Sequence, residues 1–312
     1  MRPTRTDGPA ARPGRRGPGR PLLDRALTAA AARAAAPGGL RFTERQLYYE
    51  TRRVLSPAVP LRLAAFTRAL DARGRENVPG LLPPARPLSP TPTPTPAPMP
   101  TSTTAPAPPP SAEADPGAGP GAGPEPDLYD YGVPRVLLCQ DRDTAAMLLA
   151  NHVHLEAACP VLAAPDALPL DPRLLAALGR TPDATVHVLH DASPAGVLLP
   201  ARVRAALPGD GPARVRVSSL GLVPRHAAAL GLPSGRGPAP AAGAEAGWPA
   251  GLLPREVAWL ARGRFAELAA VSPARLLRTV LRQTRGGRPV RGALRPGLRE
   301  MRDSGFLTWP AV

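Results

Sequence analysis

Hydrophobic residues recur with helical spacing in three stretches near the start of the chain. The first two stretches run from Pro21 to Ala36 and from Glu44 to Leu55. In the third, Leu63, Phe66 and Leu70 lie at positions i, i+3 and i+7, which share one face of a helix. The pattern therefore predicts three amphipathic helices in this part of the chain.

Two short apolar segments flank these helices and complete one folded unit. Leu40 to Phe42 precedes the second helix and Val78 to Leu82 follows the third, and both have the length of small strands. Thr43 is placed to cap the second helix, with the Glu44 carboxylate in its first turn, where the helix dipole favours it. Three helices with a β-wing predict a winged helix-turn-helix over residues 21–82, a common way to place one helix in a DNA groove.

Hydrophobic periodicity then stops over residues 83–127, where the chain reads PTPTPTPAPMP and, further on, DPGAGPGAGPEP. Such a segment cannot bury a core, and its proline-rich part favours an extended spacer of about 3.1 Å per residue. Residues 1–20 are basic and rich in glycine and proline, and we expect them to be disordered. We therefore predict two folded units that move independently on a tether.

Strand and helix patterns alternate after the tether. Predicted strands cover 135–139, 159–163, 185–189 and 213–222, and the predicted helices between them cover 141–151, 172–178 and 194–207. This alternation predicts an α/β unit, residues 128–285, with a parallel sheet and helices on both faces. Two helices, 254–271 and 272–285, are predicted to close the unit before an arginine-rich tail over 286–312.

The charge of the chain adds a candidate partner. There are 39 basic and 24 acidic residues, giving a formal net charge of +15, and every basic residue is arginine because the chain contains no lysine. A basic balance favours a nucleic-acid partner, although a GC-rich coding bias would also raise the arginine content. Cys139 and Cys159 lie in apolar strand-like runs, as expected of buried thiols in the cytoplasm. The start of the chain has the pattern of neither a signal peptide nor a membrane span, so no membrane partner is expected.

Polar residues follow the strand at 185–189 directly, where the sequence reads HDASPAG. The carboxyl ends of parallel strands border the crevice in which open α/β sheets bind ligands. Asp191 and Ser193 would both reach that crevice from one turn. The alternative is that Ser193 caps a helix whose first residue is Pro194, and the residues alone leave both interpretations open.

A tyrosine pair in the second helix is the other candidate site. Tyr49 is spaced to share a helix face with Arg45, Arg52 and Arg53. This spacing predicts an exposed phenol among guanidinium groups, surroundings that favour phenolate and attract phosphate. The alternative is an amphipathic tyrosine whose neighbouring arginines lie in solvent.

Three segments, in this order, resemble one known family. RQLYY resembles the R-x-x-Y-Y of the A subunit of topoisomerase VI and its meiotic double-strand-break relatives, whose 5Y-CAP winged helix carries the second tyrosine as nucleophile. VLLCQ and HDASPAG resemble the two metal-binding strand ends of that family's TOPRIM domain, and SSLGLVPRHAAALGLP resembles the segment that follows. The resemblance implies Tyr49 as the nucleophile, Arg45 as its electrostatic partner, Arg52 and Arg53 as DNA-binding residues and a magnesium site at Asp191.

The chain departs from that family at the metal site. Gln140 stands where the family has a glutamate and Ser193 where it has a second aspartate, so only Asp191 remains of three carboxylates. Because Mg²⁺ requires hard anionic oxygen ligands, we expect weak magnesium binding and degraded cleavage.

The resemblance and the departures from it therefore favour a DNA-binding relative of the topoisomerase VI A subunit with degraded metal-dependent cleavage, and they favour a protein without enzymatic activity while leaving that question open. One alternative is an active type IIB topoisomerase-like enzyme that cleaves DNA with a tyrosine nucleophile, and another is an interaction protein that uses its proline-rich tether. Duplex DNA is the expected partner, with a homodimer and a separate ATPase subunit left open. The expected location is the cytoplasm, including association with the nucleoid.

Overall fold

The computed structural model describes residues 19–55, 60–86, 132–207, 215–241 and 243–285. The predicted basic arm (apart from its last two residues), most of the tether and the arginine-rich tail lie outside these ranges. The described residues form a mixed α/β protein, as predicted. None of the helices in the described ranges is long and apolar enough to span a bilayer.

Three helices form the first unit, and they lie where the hydrophobic pattern predicts them. A capping box starts the second helix: the Gln46 N–H donates to Thr43 Oγ1 at 3.1 Å, and the Thr43 N–H donates to Gln46 Oε1 at 2.9 Å. The predicted role of Thr43 is thereby confirmed. The helices are α1 (Gly19–Ala35), α2 (Glu44–Leu55) and α3 (Leu63–Arg73).

The two apolar segments that flank the helices pair with each other. Phe42 and Leu81 form an isolated parallel bridge, in which the Leu82 N–H donates to the Phe42 carbonyl at 2.9 Å. The Phe42 ring is fully buried and packs with Leu47, Phe66 and other apolar side chains of the three helices. The bridge ties the start of α2 to the segment after α3.

The second unit contains a four-stranded parallel sheet with the strand order β2-β1-β3-β4. The predicted strands at 135–139 and 185–189 are confirmed to the residue, whereas the two outer strands are shorter than predicted. The strands are β1 (Arg135–Cys139), β2 (Val161–Ala163), β3 (Thr185–Leu189) and β4 (Arg216–Ser219).

Successive residues of the central strands enter two different hydrophobic cores, because side chains alternate between the faces of a sheet. Leu137 and Cys139 pack with one core, and Val136 and Leu138 with the other. Helices cover both faces, as predicted, and this explains why the central strands are apolar almost throughout. The helices between and after the strands are α4 (Arg142–Ala150), α5 (Val153–Glu156), α6 (Ala164–Ala167), α7 (Pro172–Gly179), α8 (Pro194–Ala205) and α9 (Pro224–Ala229).

The end of the second unit differs from the prediction of one long helix over residues 254–271. The helix α10 (Pro254–Ala261) stops before Gly263, whose φ of 67° is in the left-handed region. A side chain at Gly263 would also collide with the carbonyls of the facing segment. A two-stranded antiparallel ribbon and a 3₁₀ turn at Leu268–Ala270 follow instead, and the elements that complete the unit are β5 (Gly235–Arg236), β6 (Arg264–Phe265) and α11 (Pro273–Thr284).

The two units pack against each other, contrary to the expectation that they move independently. Ala270 is fully buried in the core of the first unit, and Arg53 donates to its carbonyl. The side chain of Asn151 forms hydrogen bonds with both the N–H and the carbonyl of Arg41, at 3.0 and 2.9 Å. The tether prediction failed on this point because folded residues outside the tether supply the contacts that fix the arrangement.

Candidate functional site

The carboxyl ends of β1 and β3 are adjacent, and the residues that follow them contact each other. Gln140 Oε1 accepts a hydrogen bond from the Asp191 N–H at 2.9 Å, and Gln140 Nε2 lies 3.5 Å from Asp191 Oδ2. Parallel pairing of the two strands, with Cys139 opposite Leu189, sets this register. The structure therefore brings two of the three predicted metal-site positions together.

Ser193 reaches the same corner but acts as a helix cap. Its Oγ accepts a hydrogen bond from the Gly196 N–H at 3.0 Å, and its extended backbone has the usual N-cap conformation ahead of α8. A side chain at Gly196 would collide with Gln140, Asp191 and Ser193. The lack of a side chain at Gly196 allows the three positions to approach, and of the two interpretations of Ser193 the structure shows the capping one.

The Asp191 carboxyl group is partly buried. Its Oδ1 accepts a hydrogen bond from the Leu268 N–H at 2.6 Å, and an isolated bridge between Ala192 and Ala266 holds this segment against the strand end. Burial raises the pKa of Asp191 to about 7, although the bond from Leu268 opposes the shift. The group therefore keeps its proton to a higher pH than an exposed aspartate does.

The residues present do not fit a magnesium ion. The Gln140 amide oxygen, the Ser193 hydroxyl and one Asp191 oxygen each accept a hydrogen bond from a backbone N–H. Asp141, the nearest other acid in sequence, caps α4 by accepting from the N–H and hydroxyl of Thr144, both at 2.7 Å. No group of three metal-ligating side chains is assembled within the described ranges. The oxygen atoms that would have to coordinate Mg²⁺ instead accept hydrogen bonds from N–H and O–H groups of the protein.

Tyr49 is buried, so the prediction of an exposed phenol is wrong. The residue is 6% exposed and packs beside the Tyr48 ring, with 5.1 Å between the ring centroids. Burial raises the pKa of the Tyr49 phenol, and the Glu267 carboxylate raises it further, while the lowering effect of Arg45 is smaller. The phenol is therefore a weaker acid than a free tyrosine, where the arginine-rich face predicted a stronger one.

Two of the three predicted arginine partners are paired with other groups. Arg45 forms an ion pair with Glu267, and Arg53 binds both Glu50 and the Ala270 carbonyl. Arg52 lies over the Tyr48 ring, 5.8 Å from its centroid. Among these three, only Arg52 has no acidic partner in the described part of the chain.

Glu267 is the residue that the sequence analysis missed. It accepts hydrogen bonds from Arg45 and influences the pKa values of both Tyr49 and Asp191, so it links α2 to the strand-end corner. Glu267 lay inside the predicted helix over residues 254–271, and the helical pattern did not distinguish it from other polar positions of that helix. Gly263, four residues earlier, was the available signal that the helix ends and that a loop follows.

An exposed basic surface remains on the first unit, and we call Arg52, Arg62 and Arg68 the α2–α3 arginines. Arg62 precedes α3 and Arg68 lies within it, and both are exposed. The Tyr48 hydroxyl donates to the Leu61 carbonyl at 3.1 Å, which holds the start of α3 against α2 below Arg52. Within the described residues, no ion pair joins any of the α2–α3 arginines to a carboxylate. Arg68 donates to the Ala64 carbonyl at 3.2 Å, and guanidinium groups that lack an acidic partner are available to phosphate.

The described residues form a mixed α/β protein in which the carboxyl ends of the parallel strands lie near the three-helix unit. Comparisons with protein-family models, with curated proteins and with solved structures each gave no match. The family resemblance therefore rests on the short sequence segments alone.

Proposed function

We propose that the protein binds duplex DNA and is a relative of the topoisomerase VI A subunit that has lost metal-dependent cleavage. In this proposal the three-helix unit acts as a winged helix and the α/β unit as a TOPRIM-like scaffold. The observation that carries the proposal is that the three α2–α3 arginines have no acidic partners among the described residues and that two of them, Arg62 and Arg68, are exposed. Phosphate contacts of this kind provide affinity for DNA without sequence preference.

The surroundings of Tyr49, Arg45 and Asp191 support the loss of cleavage. A tyrosine nucleophile must be accessible and must lose its proton, whereas Tyr49 is buried and its pKa is raised. Arg45 would have to stabilise the charge that develops on phosphate, but its guanidinium is paired with Glu267. Asp191 is the single carboxylate at the family's metal positions, and burial raises its pKa.

A DNA titration at several salt concentrations tests the binding proposal. Each phosphate contact contributes about −0.9 to the slope of log K against log salt, so three contacts predict about −2.7. Replacing Arg52, Arg62 and Arg68 together with alanine should flatten the slope and weaken binding at low salt. A matched control replaces Arg202, Arg255 and Arg278, which are exposed elsewhere, and removes the same net charge.

The control variant should keep the wild-type slope, because these arginines lie outside the α2–α3 surface. Absence of DNA binding at low salt would refute the proposal. Equal weakening by both variants would show that only net charge matters, and would exclude a specific role of the α2–α3 arginines.

A DNA-cleaving enzyme is the second candidate, and one observation favours it. The α2 segment that carries the tyrosine pair and the segment after β3 that carries Asp191 are distant in sequence but come close in the fold. Arg45 of α2 contacts Glu267, and the charge of Glu267 also acts on Asp191. A covalent protein–DNA adduct that Tyr49→Phe abolishes would establish this candidate and overturn the loss of cleavage. We expect no adduct with either protein.

A further inference from the structure

A second polar site lies at the amino ends of the strands, at the end of the sheet opposite to Asp191. Arg135, Thr185 and Arg216 are the first residues of β1, β3 and β4, and they are paired in register across the three strands. Side chains at paired positions of neighbouring strands point to the same face of a sheet. Two arginines therefore flank one threonine at the amino ends of the strands.

The next row on that face contains a buried histidine. His187 is paired with Leu137 on one side and Ser218 on the other. It is 7% exposed, and its Nδ1 is fully buried without a hydrogen-bond partner among the described residues. A buried polar atom without a partner costs free energy, and because this nitrogen is closed to solvent, an occupant could contact the ring only through its other atoms.

These two rows line a cavity of about 670 Å³, and the end of α11 forms its remaining wall through Thr284 and Arg285. A volume of this size is typical of small-ligand sites. Two of its arginines are partly engaged: Arg135 donates to the Thr284 carbonyl at 2.7 Å, and Arg285 pairs with Glu156 at 2.9 Å. Arg216 is exposed and has no acidic partner in the described part of the chain.

We propose that this cavity binds the phosphate group of a small phosphate ester of nucleotide size. The three guanidinium groups offer forked donors to an anion, and the Ser218 hydroxyl adds a neutral one, whereas the Thr185 hydroxyl donates to the Asp183 carbonyl. Asp183 is the one carboxylate among the described residues that line the cavity, so positive charge exceeds negative there.

His187, which also lines the cavity, would provide a specific contact. Burial lowers the pKa of His187, and the charge of Arg135 lowers it further, so the ring is neutral and carries a single N–H. In that state the ring can donate one hydrogen bond to a phosphate oxygen without adding a buried charge. The site lies away from α2 and from Asp191, and its existence does not depend on the proposed DNA-binding function.

Calorimetric titration of the full chain with pyrophosphate and, separately, with ADP tests the proposal. We expect saturable binding at one site, weakened about tenfold or more by Arg216→Ala, as for the loss of a hydrogen bond to a charged group. Arg202→Ala, on the exposed face of α8, is the matched control and should leave the affinity unchanged. The imidazole nitrogen resonances of His187 should shift on addition of pyrophosphate, and this readout does not require a variant that folds.

Three results would overturn the proposal. One is the absence of binding of either compound at millimolar concentration. Another is binding that Arg216→Ala does not weaken and that leaves the His187 resonances unchanged, which would place the anion elsewhere. The third is displacement of pyrophosphate by a short DNA duplex in the wild type but not in Arg216→Ala, which would assign the cavity to backbone phosphate of DNA.

Discussion

Arg45 and Glu267 lie 222 residues apart in the chain and form a bidentate ion pair. Arg45 Nε donates to Glu267 Oε2 at 2.6 Å, and Arg45 Nη2 donates to Glu267 Oε1. The pair raises the pKa of Arg45 through the hydrogen bond to Glu267. Because the Glu267 side chain is only 14% exposed, water competes weakly for it. The pair therefore joins the three-helix unit to the α/β unit through a contact that solvent screens poorly.

A double-mutant cycle with Arg45→Gln and Glu267→Gln should reveal this coupling. We expect an interaction free energy of about 1–3 kcal/mol from urea unfolding. The exposed pair Arg285–Glu156, whose side chains are 52% and 51% exposed, is the matched control and should give a much smaller coupling. Additive effects at Arg45 and Glu267 would show that the pair does not hold the units together.

Asp191 should make stability depend on pH. A carboxyl group whose pKa is raised by folding, here to about 7, keeps its proton in the native state while the unfolded chain loses it. The native state then binds more protons between about pH 4 and pH 7, so stability falls as the pH rises through that window, by up to roughly 4 kcal/mol.

Asp191→Asn should remove this dependence, because asparagine can still accept from Leu268 but does not ionise. We expect the variant to gain stability relative to wild type at pH 8 and to gain little at pH 4. Thermal unfolding across this range measures the difference. A wild type and variant with parallel pH profiles would mean that Asp191 titrates normally.

Placing acids at positions 140 and 193 tests why the residues around Asp191 do not fit a metal. Gln140→Glu with Ser193→Asp places two carboxylates beside Asp191, and like charges should destabilise the protein without metal. Aspartate is also a good N-cap, so α8 should persist. We expect magnesium to raise the melting temperature of the double variant and to leave that of wild type unchanged. Ser193→Asp alone is the control, and equal magnesium responses in all three proteins would refute this account.

The sequence predicted the elements whose cause is local. Alternation of strand and helix patterns along the chain predicted the parallel sheet, and the spacing from Thr43 to Gln46 allowed a reciprocal cap at the start of α2. The carboxyl ends of parallel strands lie at one end of a sheet. This rule, together with the family resemblance, led us to expect Gln140 and Asp191 at the same end of the sheet.

The surroundings of Tyr49 could not be predicted in the same way. Helical spacing correctly grouped Tyr49 with arginines, but the burial of that face depends on Glu267 and Ala270, which belong to a distant part of the chain. Periodicity within a helix shows which residues share a face and not what covers that face. The sign of the pKa shift was wrong for the same reason.

The contacts of α2 with the segment around Glu267 and Ala270 also have a consequence for biosynthesis. A ribosome that adds about 5–20 residues per second needs roughly 10–40 s to make the 222 residues between Arg45 and Glu267. During that time the nascent first unit lacks the partner of Arg45 and the carbonyl that Arg53 binds, and Tyr49 remains uncovered. Completion of the three-helix unit must therefore wait until the segment around Glu267 and Ala270 has been made.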